Sequence, residues 1–315
     1  MGTRLRPLTN LIPKPLVAIA GVPLIQRVIN TLPSTVDEVI VAACYMAGDL
    51  ERYFEGRQQR IPVRVVAEEK PLGTAGALWN LRKRLDSTFI VLNGDVVNSL
   101  PLADMFEFHR EKKALATISL WTVPDPTAFG IVRLVDGSVI AEFREKPKRE
   151  EAFSNLINAG TYIMEPEIFG HMSGDNFSLE REVFPVVTGE RLRGYTFAGY
   201  WVDCGSRENF LTAQLMLLNS EKLGIEKNAK MEGCSLSRPF AVEKGASLKG
   251  VRLGPNAYVE RGAIIGEGSI VENSAVLASA SIGRNCRITN SIICPGVIMN
   301  DSSVSDNKIL GEPSV

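Results

Sequence analysis

Two hydrophobic rhythms divide the chain. Up to about residue 218, short apolar runs alternate with stretches of helical spacing. Residues 38–43 are a short β-branched run, the mark of a buried strand. Residues 47–55 carry apolar positions at helical spacing, 62–67 read as a strand, and 73–85 as a helix. Residues 89–92 form an apolar strand that ends in Asn93-Gly94-Asp95, and 102–113 are amphipathic. This alternation predicts a parallel sheet with helices on both faces, and such sheets bind ligands outside the carboxyl ends of their strands. From residue 114 to about 143 the strands follow quickly, with Asp136-Gly137 as a hairpin turn between two of them. A mixed-sheet extension is expected there, then a helix over 206–218. The excess of Glu, Lys and Asn over 219–232 predicts a linker.

After about Gly233 the rhythm becomes a six-residue period. Leu253-Gly-Pro-Asn-Ala-Tyr is followed by Val259-Glu-Arg-Gly-Ala-Ile, Ile265-Gly-Glu-Gly-Ser-Ile and Val271-Glu-Asn-Ser-Ala-Val. After slips of one residue it resumes at Ile282, and then at Ile293 and Met299. Each hexapeptide makes one flat side of a prism. Three sides make a coil of about 18 residues, and roughly four coils fit the segment. The expected division is therefore 1–218, a linker over 219–232, and a hexapeptide β-helix over 233–315.

Composition narrows the function. The chain has 315 residues, enough for two domains. A formal net charge of −1 offers no global field for nucleic acid or an anionic membrane. The longest apolar run, 16–25, is broken by Gly21 and Pro23 and falls short of the ~20 residues a span needs. No apolar signal core stands at the N-terminus. Five cysteines without a C-x-x-C pair read as reduced thiols of a cytoplasmic protein. With only two histidines, neither near a cysteine pair, zinc is not expected. His109, on the polar side of its helix, and His171, near a helix end, read as structural.

The candidate chemistry starts at the N-terminus. In Met1-Gly2-Thr3-Arg4-Leu5-Arg6-Pro7-Leu8-Thr9, Gly2 lets the backbone turn so that N–H groups can face one anion. Arg4 adds a forked cation suited to phosphate oxygens. Lys14 adds a point charge in a loop stiffened by Pro13 and Pro15. Any one of these alone would be a surface cation; the string together suits a triphosphate tail. Glu68 to Leu78, with Gly73 and Gly76, has the small residues that let a nucleotide approach the start of a helix. Asp95, at a strand end, and Asp203, in Trp201-Val202-Asp203-Cys204-Gly205, are each a usual cap or turn residue when alone. A pair of such carboxylates can hold Mg²⁺ beside phosphate oxygens. Glu145-Lys146-Pro147 follows a strand, where a surface turn is the plain alternative.

The string from Gly2 to Pro15 resembles the second half of the signature loop of the sugar-nucleotide pyrophosphorylases, G-G-x-G-T-R-L-x-P-L-T followed by P-K-P. The later motifs resemble that family in order and span nearly all of the chain. The first half of the loop and the strand before it are absent, so a start upstream of Met1 is expected, with an impaired fragment as the alternative. The resemblance implies an α/β fold: a Rossmann-like mixed-sheet nucleotidyltransferase domain, then a short left-handed parallel β-helix. It implies transfer of a nucleotidyl group from a nucleoside triphosphate to a sugar 1-phosphate, with Mg²⁺ on Asp95 and Asp203. Arg4 and Lys14 would hold the leaving pyrophosphate and Lys146 the sugar phosphate. Gly2, Thr3, Glu68, Gly73, Thr74 and Asn93 would bind nucleotide, with Glu68 reading the base edge. Glu145, Asn158 and Gly160 would meet the sugar, Gly160 giving room for the ring.

Within the family the motifs lean towards guanylyl transfer to mannose 1-phosphate. Thymidylyl or uridylyl transfer to glucose 1-phosphate is the alternative. A non-catalytic paralogue would typically lose the lysine or the aspartates, which this chain keeps. An acyltransferase, common among hexapeptide β-helices, would need a histidine base, and none follows His171. A homo-oligomer through the β-helix is expected from the family; no nucleic-acid or membrane partner is.

Overall fold

The computed structural model describes residues 3–172, 177–221 and 223–311, apart from the side chain of Glu190. The chain folds as two compact units that cut across its linear order. One gathers Met1–Arg27, Asp95–Val97 and Val202–Val315; the other gathers Val28–Gly94 and Asn98–Trp201.

The second unit is built on a six-stranded mixed sheet. Its spatial order is Phe89–Leu92, Leu156–Met164, Ala116–Thr122, Gly189–Thr196, Val139–Glu145 and Gly130–Val135. Only Gly189–Thr196 and Ala116–Thr122 run parallel; the other neighbours are antiparallel. The purely parallel start expected from the β–α alternation is confined to Val39–Ala43 and Val63–Ala67, which pair in register as a separate ladder. Phe89–Leu92 instead takes Leu156–Met164 as an antiparallel partner. That long strand is buried on both faces, as its unbroken apolar end requires. Tyr162 and Met164 enter a core with Ile118, Leu120, Ile140 and Phe184, whereas Ile163 enters another with Leu32, Ile61 and Met105. Successive side chains of one strand thus serve two cores.

His109 is not on a polar face. It is buried on the helix Leu102–Lys112, with Nδ1 2.8 Å from the Thr117 hydroxyl and Nε2 3.1 Å from Glu165 Oε1. Burial lowers its pKa against the pull of Glu165. It is a structural tie between a helix and the central strands.

In the first unit, residues 230–310 wind into a β-helix whose sides are three five-stranded parallel sheets. It has five coils rather than four. The first coil, Lys230–Glu232, Ser235–Leu236 and Phe240–Val242, starts inside the segment expected as a linker, and Ile225 already bridges Val242. Its outward residues Lys230, Glu232 and Ser235 are exposed and polar, which hides the period there. The repeat is 17 residues: Ser247 pairs Ile264, Ile264 pairs Ser281, and Ser281 pairs Ile298. One 18-residue step, Arg252 to Ile270, is the exception. One corner is shortened by a left-handed asparagine at Asn256, Asn273 and Asn290, with φ of 51°, 43° and 49°. Asparagine tolerates that conformation better than most residues. Asn273 Nδ2 then donates to Asn290 Oδ1 at 2.7 Å, one coil further on.

Other parts of this unit dock on the β-helix. Gln214, fully buried on the helix Arg207–Ser220, donates to the carbonyls of Asn256 and Ser274, each at 3.2 Å. The turn Ala20-Gly21, both residues left-handed, joins Ala18–Ile19 to Val22–Pro23. A Cβ on Gly21 would fall 2.4 Å from the Tyr258 hydroxyl, so the backbone lies directly on it. All five cysteines are free thiols. Among the described residues, no helix is long and apolar enough to cross a membrane.

Coil stacking also crowds acids. Glu243 and Glu260 each accept a backbone N–H from the following coil, from Arg261 and Ala278 respectively. Burial, reinforced by the charge of Glu243, raises the pKa of Glu260 to about 7, against the Ala278 hydrogen bond and Arg261. The folded state therefore holds this proton more tightly than the unfolded chain. Stability from this group is greatest below the unfolded carboxylate range and is lost as pH rises through about 7. Glu260→Gln, which keeps the acceptor for Ala278 N–H, is expected to raise Tm by ~3 °C at pH 8 and by less than ~1 °C at pH 5. Thermal unfolding of both proteins at the two pH values checks this.

Candidate functional site

The first unit brings together four of the expected residues. Leu5 and Leu8, both fully buried, anchor the opening segment on either side of Arg6-Pro7. Pro13 and Pro15 frame a short helical turn, Lys14–Leu16, closed by Leu16 N–H on Pro13 O at 2.8 Å. That turn directs Lys14 at two acids. Its ammonium hydrogen-bonds Asp95 Oδ2 and lies 3.8 Å from Asp203 Oδ1. Arg4 Nη2 lies 3.8 Å from the other oxygen of Asp203. Asp95 precedes the strand Val96–Asn98, which pairs with Trp201–Asp203; Cys204 N–H donates to Asp95 O at 2.9 Å. The two acids are thus fixed by one backbone pairing although they come from distant parts of the chain. Gly205 completes the cluster. A Cβ there would fall 2.6 Å from Arg4 Nη2 and 3.0 Å from Asp203 Oδ1.

The electrostatics are those of a site that favours a cation. Burial raises the pKa of Asp203, and the charge of Asp95 raises it further, against Lys14 and Arg4. Asp203 Oδ1 is buried without a hydrogen-bond partner. The Lys14 ammonium stands between two carboxylates, an all-oxygen donor set of the kind magnesium accepts. Among the described residues no group of three or more acidic, thiol or imidazole side chains could hold a metal ion, so a metal here would complete its shell from phosphate and water. Cys204 is buried and its thiol is pushed up to about 12, which makes it inert. Thr3 is exposed at the start of the short turn Thr3–Leu5, and Gly2 lies outside the described residues.

In the second unit, the strand Val63–Ala67 leads to Glu68 and then to the helix Gly73–Leu81. A cavity of about 280 Å³ opens here, lined by Ala42, Val66, Glu68, Leu72, Ala77 and Asn80 among others. Burial raises the pKa of Glu68 against a hydrogen bond from the Leu72 backbone. The helix start is not open to an anion as expected. Ala75 and Gly76 N–H groups both donate to Phe177 O, at 2.9 and 3.1 Å. Gly73, with φ of 75°, lets Phe177 approach; a Cβ would lie 2.5 Å from that carbonyl. The Thr74 hydroxyl is also engaged within the protein. It donates to Glu180 Oε2 at 2.7 Å and accepts from Leu179 N–H at 2.9 Å.

Glu145 ends the strand Val139–Glu145 and Lys146 follows it, with Lys146 Nζ 3.6 Å from Glu145 Oε1. Lys146 has φ of 46°, a strained value for a side chain of its type, and its N–H is held by Phe129 O at 3.0 Å. Burial raises the pKa of Glu145; Lys146 opposes it. Asn158 and Gly160 lie on a bulge in Leu156–Met164, where the register against Ala116–Thr122 slips between Asn158 and Tyr162. The room at Gly160 is taken by Asn93: a Cβ there would fall 2.4 Å from Asn93 Nδ2, and Asn93 N–H donates to Gly160 O at 2.9 Å. Trp201 is packing, as its indole donates to Ala159 O at 2.8 Å and its ring meets Phe129.

Two residues here escaped the sequence reading. Gly130 faces Glu145, where a Cβ would fall 2.8 Å from Oε2. Its signal was only a glycine opening a strand. Glu180 gathers three hydroxyls, from Thr74, Ser178 and Tyr162, and no local pattern announces it.

The chain is similar to known proteins. A family model described as nucleotidyl transferase matches residues 1–220. The mannose-1-phosphate guanylyltransferase catalytic subunit beta of Danio rerio is 38% identical over 227 residues, 70% of this chain and 62% of the relative. The mannose-1-phosphate guanylyltransferase of Mycobacterium tuberculosis is 36% identical over 217 residues, 67% of this chain and 60% of the relative. The mannose-1-phosphate guanyltransferase of Saccharomyces cerevisiae is 34% identical over 230 residues, covering 63% of the relative. The matched region thus spans less than two thirds of each of these relatives. A match over most of the chain, with the lysine and both aspartates brought together, means that the chain belongs to the nucleotidyl transferase family.

Proposed function

We propose that the protein transfers a nucleotidyl group from a nucleoside triphosphate to a sugar 1-phosphate, with GTP and mannose 1-phosphate as its substrates. The observation that carries this reading is the cluster in which Lys14 meets Asp95 and Asp203 and Arg4 meets Asp203. Phosphoryl chemistry of this kind is largely positioning and charge compensation. An oxygen of the sugar 1-phosphate attacks the α-phosphorus, the bond from that phosphorus to the bridging oxygen breaks, and pyrophosphate leaves with the electron pair. Arg4 and Lys14 offset the charge on the leaving pyrophosphate. Lys146, on its exposed strained turn, draws in the phosphate of the sugar substrate. Asp95 and Asp203 would hold Mg²⁺, which supplies charge neutralisation to the phosphates when bound.

The guanylyl preference rests on Glu68 and on the names of the relatives. A carboxylate accepts from both the N1–H and the exocyclic N–H₂ of guanine, whereas uracil and thymine offer one such donor. Glu68 lines the cavity beside Gly73–Leu81. Thymidylyl or uridylyl transfer is the second reading, and a nucleotide panel followed by pyrophosphate release separates the two. Preference for dTTP or UTP over GTP excludes guanylyl transfer. Glu68→Gln is expected to raise KM for GTP ~10-fold or more with KM for the sugar 1-phosphate unchanged. Lys14→Ala and Asp95→Asn are each expected to lower kcat at least ~100-fold without loss of fold. Steady-state rates with circular dichroism as the folding control check this, and near-wild-type rates would refute the assignment.

A further inference from the structure

Glu180 lies on a short π-helical turn, Leu179–Val183, that starts at Ser178. Such turns insert one extra residue and recur at functional sites. Ser178 caps the turn by accepting from Glu180 N–H and Arg181 N–H, at 3.2 and 3.3 Å. Its hydroxyl proton goes to Glu180 Oε2 at 2.7 Å, and the Thr74 hydroxyl donates to the same oxygen at 2.7 Å. The other oxygen, Oε1, accepts from the Tyr162 hydroxyl at 3.1 Å. Tyr162 is fully buried, so its hydroxyl has no water to choose instead.

The direction of this chain follows from chemistry. The Tyr162 hydroxyl donates its one proton to Glu180 Oε1. The Tyr162 oxygen can then only accept from its remaining neighbour, Asn158 Nδ2, at 2.8 Å. This fixes the Asn158 amide with its NH₂ towards Tyr162 and its Oδ1 towards Gly160 N–H, at 2.9 Å. The Asn158 NH₂ group has two protons, and Tyr162 takes one of them.

We infer that Glu180 is a positioning residue that, through Tyr162, holds the Asn158 amide in the one orientation that offers a donor to the sugar 1-phosphate. This rests on the sugar-contacting role of Asn158 in the function proposed above. Glu180 itself need not touch substrate. Glu180→Gln keeps size and can still accept, but it can also donate, so the direction of the chain is lost. Tyr162→Phe removes the link while keeping the ring that fills the core.

Both variants are expected to raise KM for the sugar 1-phosphate ~10-fold, the loss of about one hydrogen bond, with KM for the nucleotide within ~2-fold of wild type. A purely structural role would move both constants together, or only Tm. The second readout needs no turnover. In protein labelled with ¹⁵N at asparagine, the Asn158 side-chain amide signals are expected to shift or double in both variants and to stay put in Ser178→Ala. Unchanged amide signals overturn the inference even where the wild type uses a different sugar phosphate. An equal rise in both KM values overturns it too. Wild-type protein that turns over no sugar 1-phosphate would refute the proposed function, while the amide signals would still decide the network.

Discussion

Two carboxylates held side by side in a partly buried place repel each other unless a cation lies between them. In this protein the Lys14 ammonium takes that place, with Arg4 at the outer oxygen of Asp203. Much of the first unit follows from this one constraint. The acids come from positions 95 and 203, so they need a backbone pairing to hold them together, which Cys204 N–H on Asp95 O provides. The lysine must stay within reach of both, so its loop is stiffened by two prolines and its segment is nailed down by buried Leu5 and Leu8. Gly205 lets the Arg4 guanidinium and Asp203 come close, since a Cβ there would fall 2.6 Å from Arg4 Nη2 and 3.0 Å from Asp203 Oδ1. A cluster in which Asp203 keeps a buried unpartnered oxygen and a raised pKa is unsatisfied by its own protein groups. That imbalance would give a bound cation something to gain there.

How much of this could be read from the residues depends on the range of the interaction. Lys14, Asp95 and Asp203 were legible because each sits in a string whose neighbours (prolines, a strand end, a glycine) fix the local backbone. The strands and helices expected between residues 38 and 113 and the helix after Ser206 were legible for the same reason, since periodicity reports burial directly; the strands Leu156–Met164 and Gly189–Thr196 were not read. Sheet pairing was not: Phe89–Leu92 looks like the next strand of a parallel series, yet its partner is Leu156–Met164, chosen by burial on both faces. The β-helix period was visible, but its true repeat of 17 rather than 18 was not, because the slips are made by asparagines at left-handed corners that resemble ordinary turn residues. Glycines say less. Gly73 and Gly160 let neighbours come close, Phe177 O at one and Asn93 at the other. A missing side chain shows that something comes close; sequence alone does not say what. Glu180 was invisible because its partner Thr74 is 106 residues away.

The β-helix belongs energetically with the Lys14 cluster. A short loop of glycine, proline and arginine cannot by itself hold a desolvated lysine against two acids, because each of its residues would gain ~1–2 kcal/mol of backbone entropy by letting go. Three contacts oppose that release. The turn at Ala20-Gly21, just after the Lys14 segment, rests its backbone on the Tyr258 hydroxyl and Glu243. Pro7, in the loop itself, meets Gly311 in the last coil, where a Cβ would fall 2.6 Å from its ring. Gln214 ties the helix that follows Asp203 and Gly205 to Asn256 and Ser274. Together these contacts reach the second coil at Tyr258 and Asn256, the third at Ser274 and the last at Gly311. A stack of parallel strands whose corners are linked by an asparagine ladder is stiff along its axis. Anchoring the loop at several points along such a stack fixes the loop more firmly than one large contact would, since no single local opening can free it.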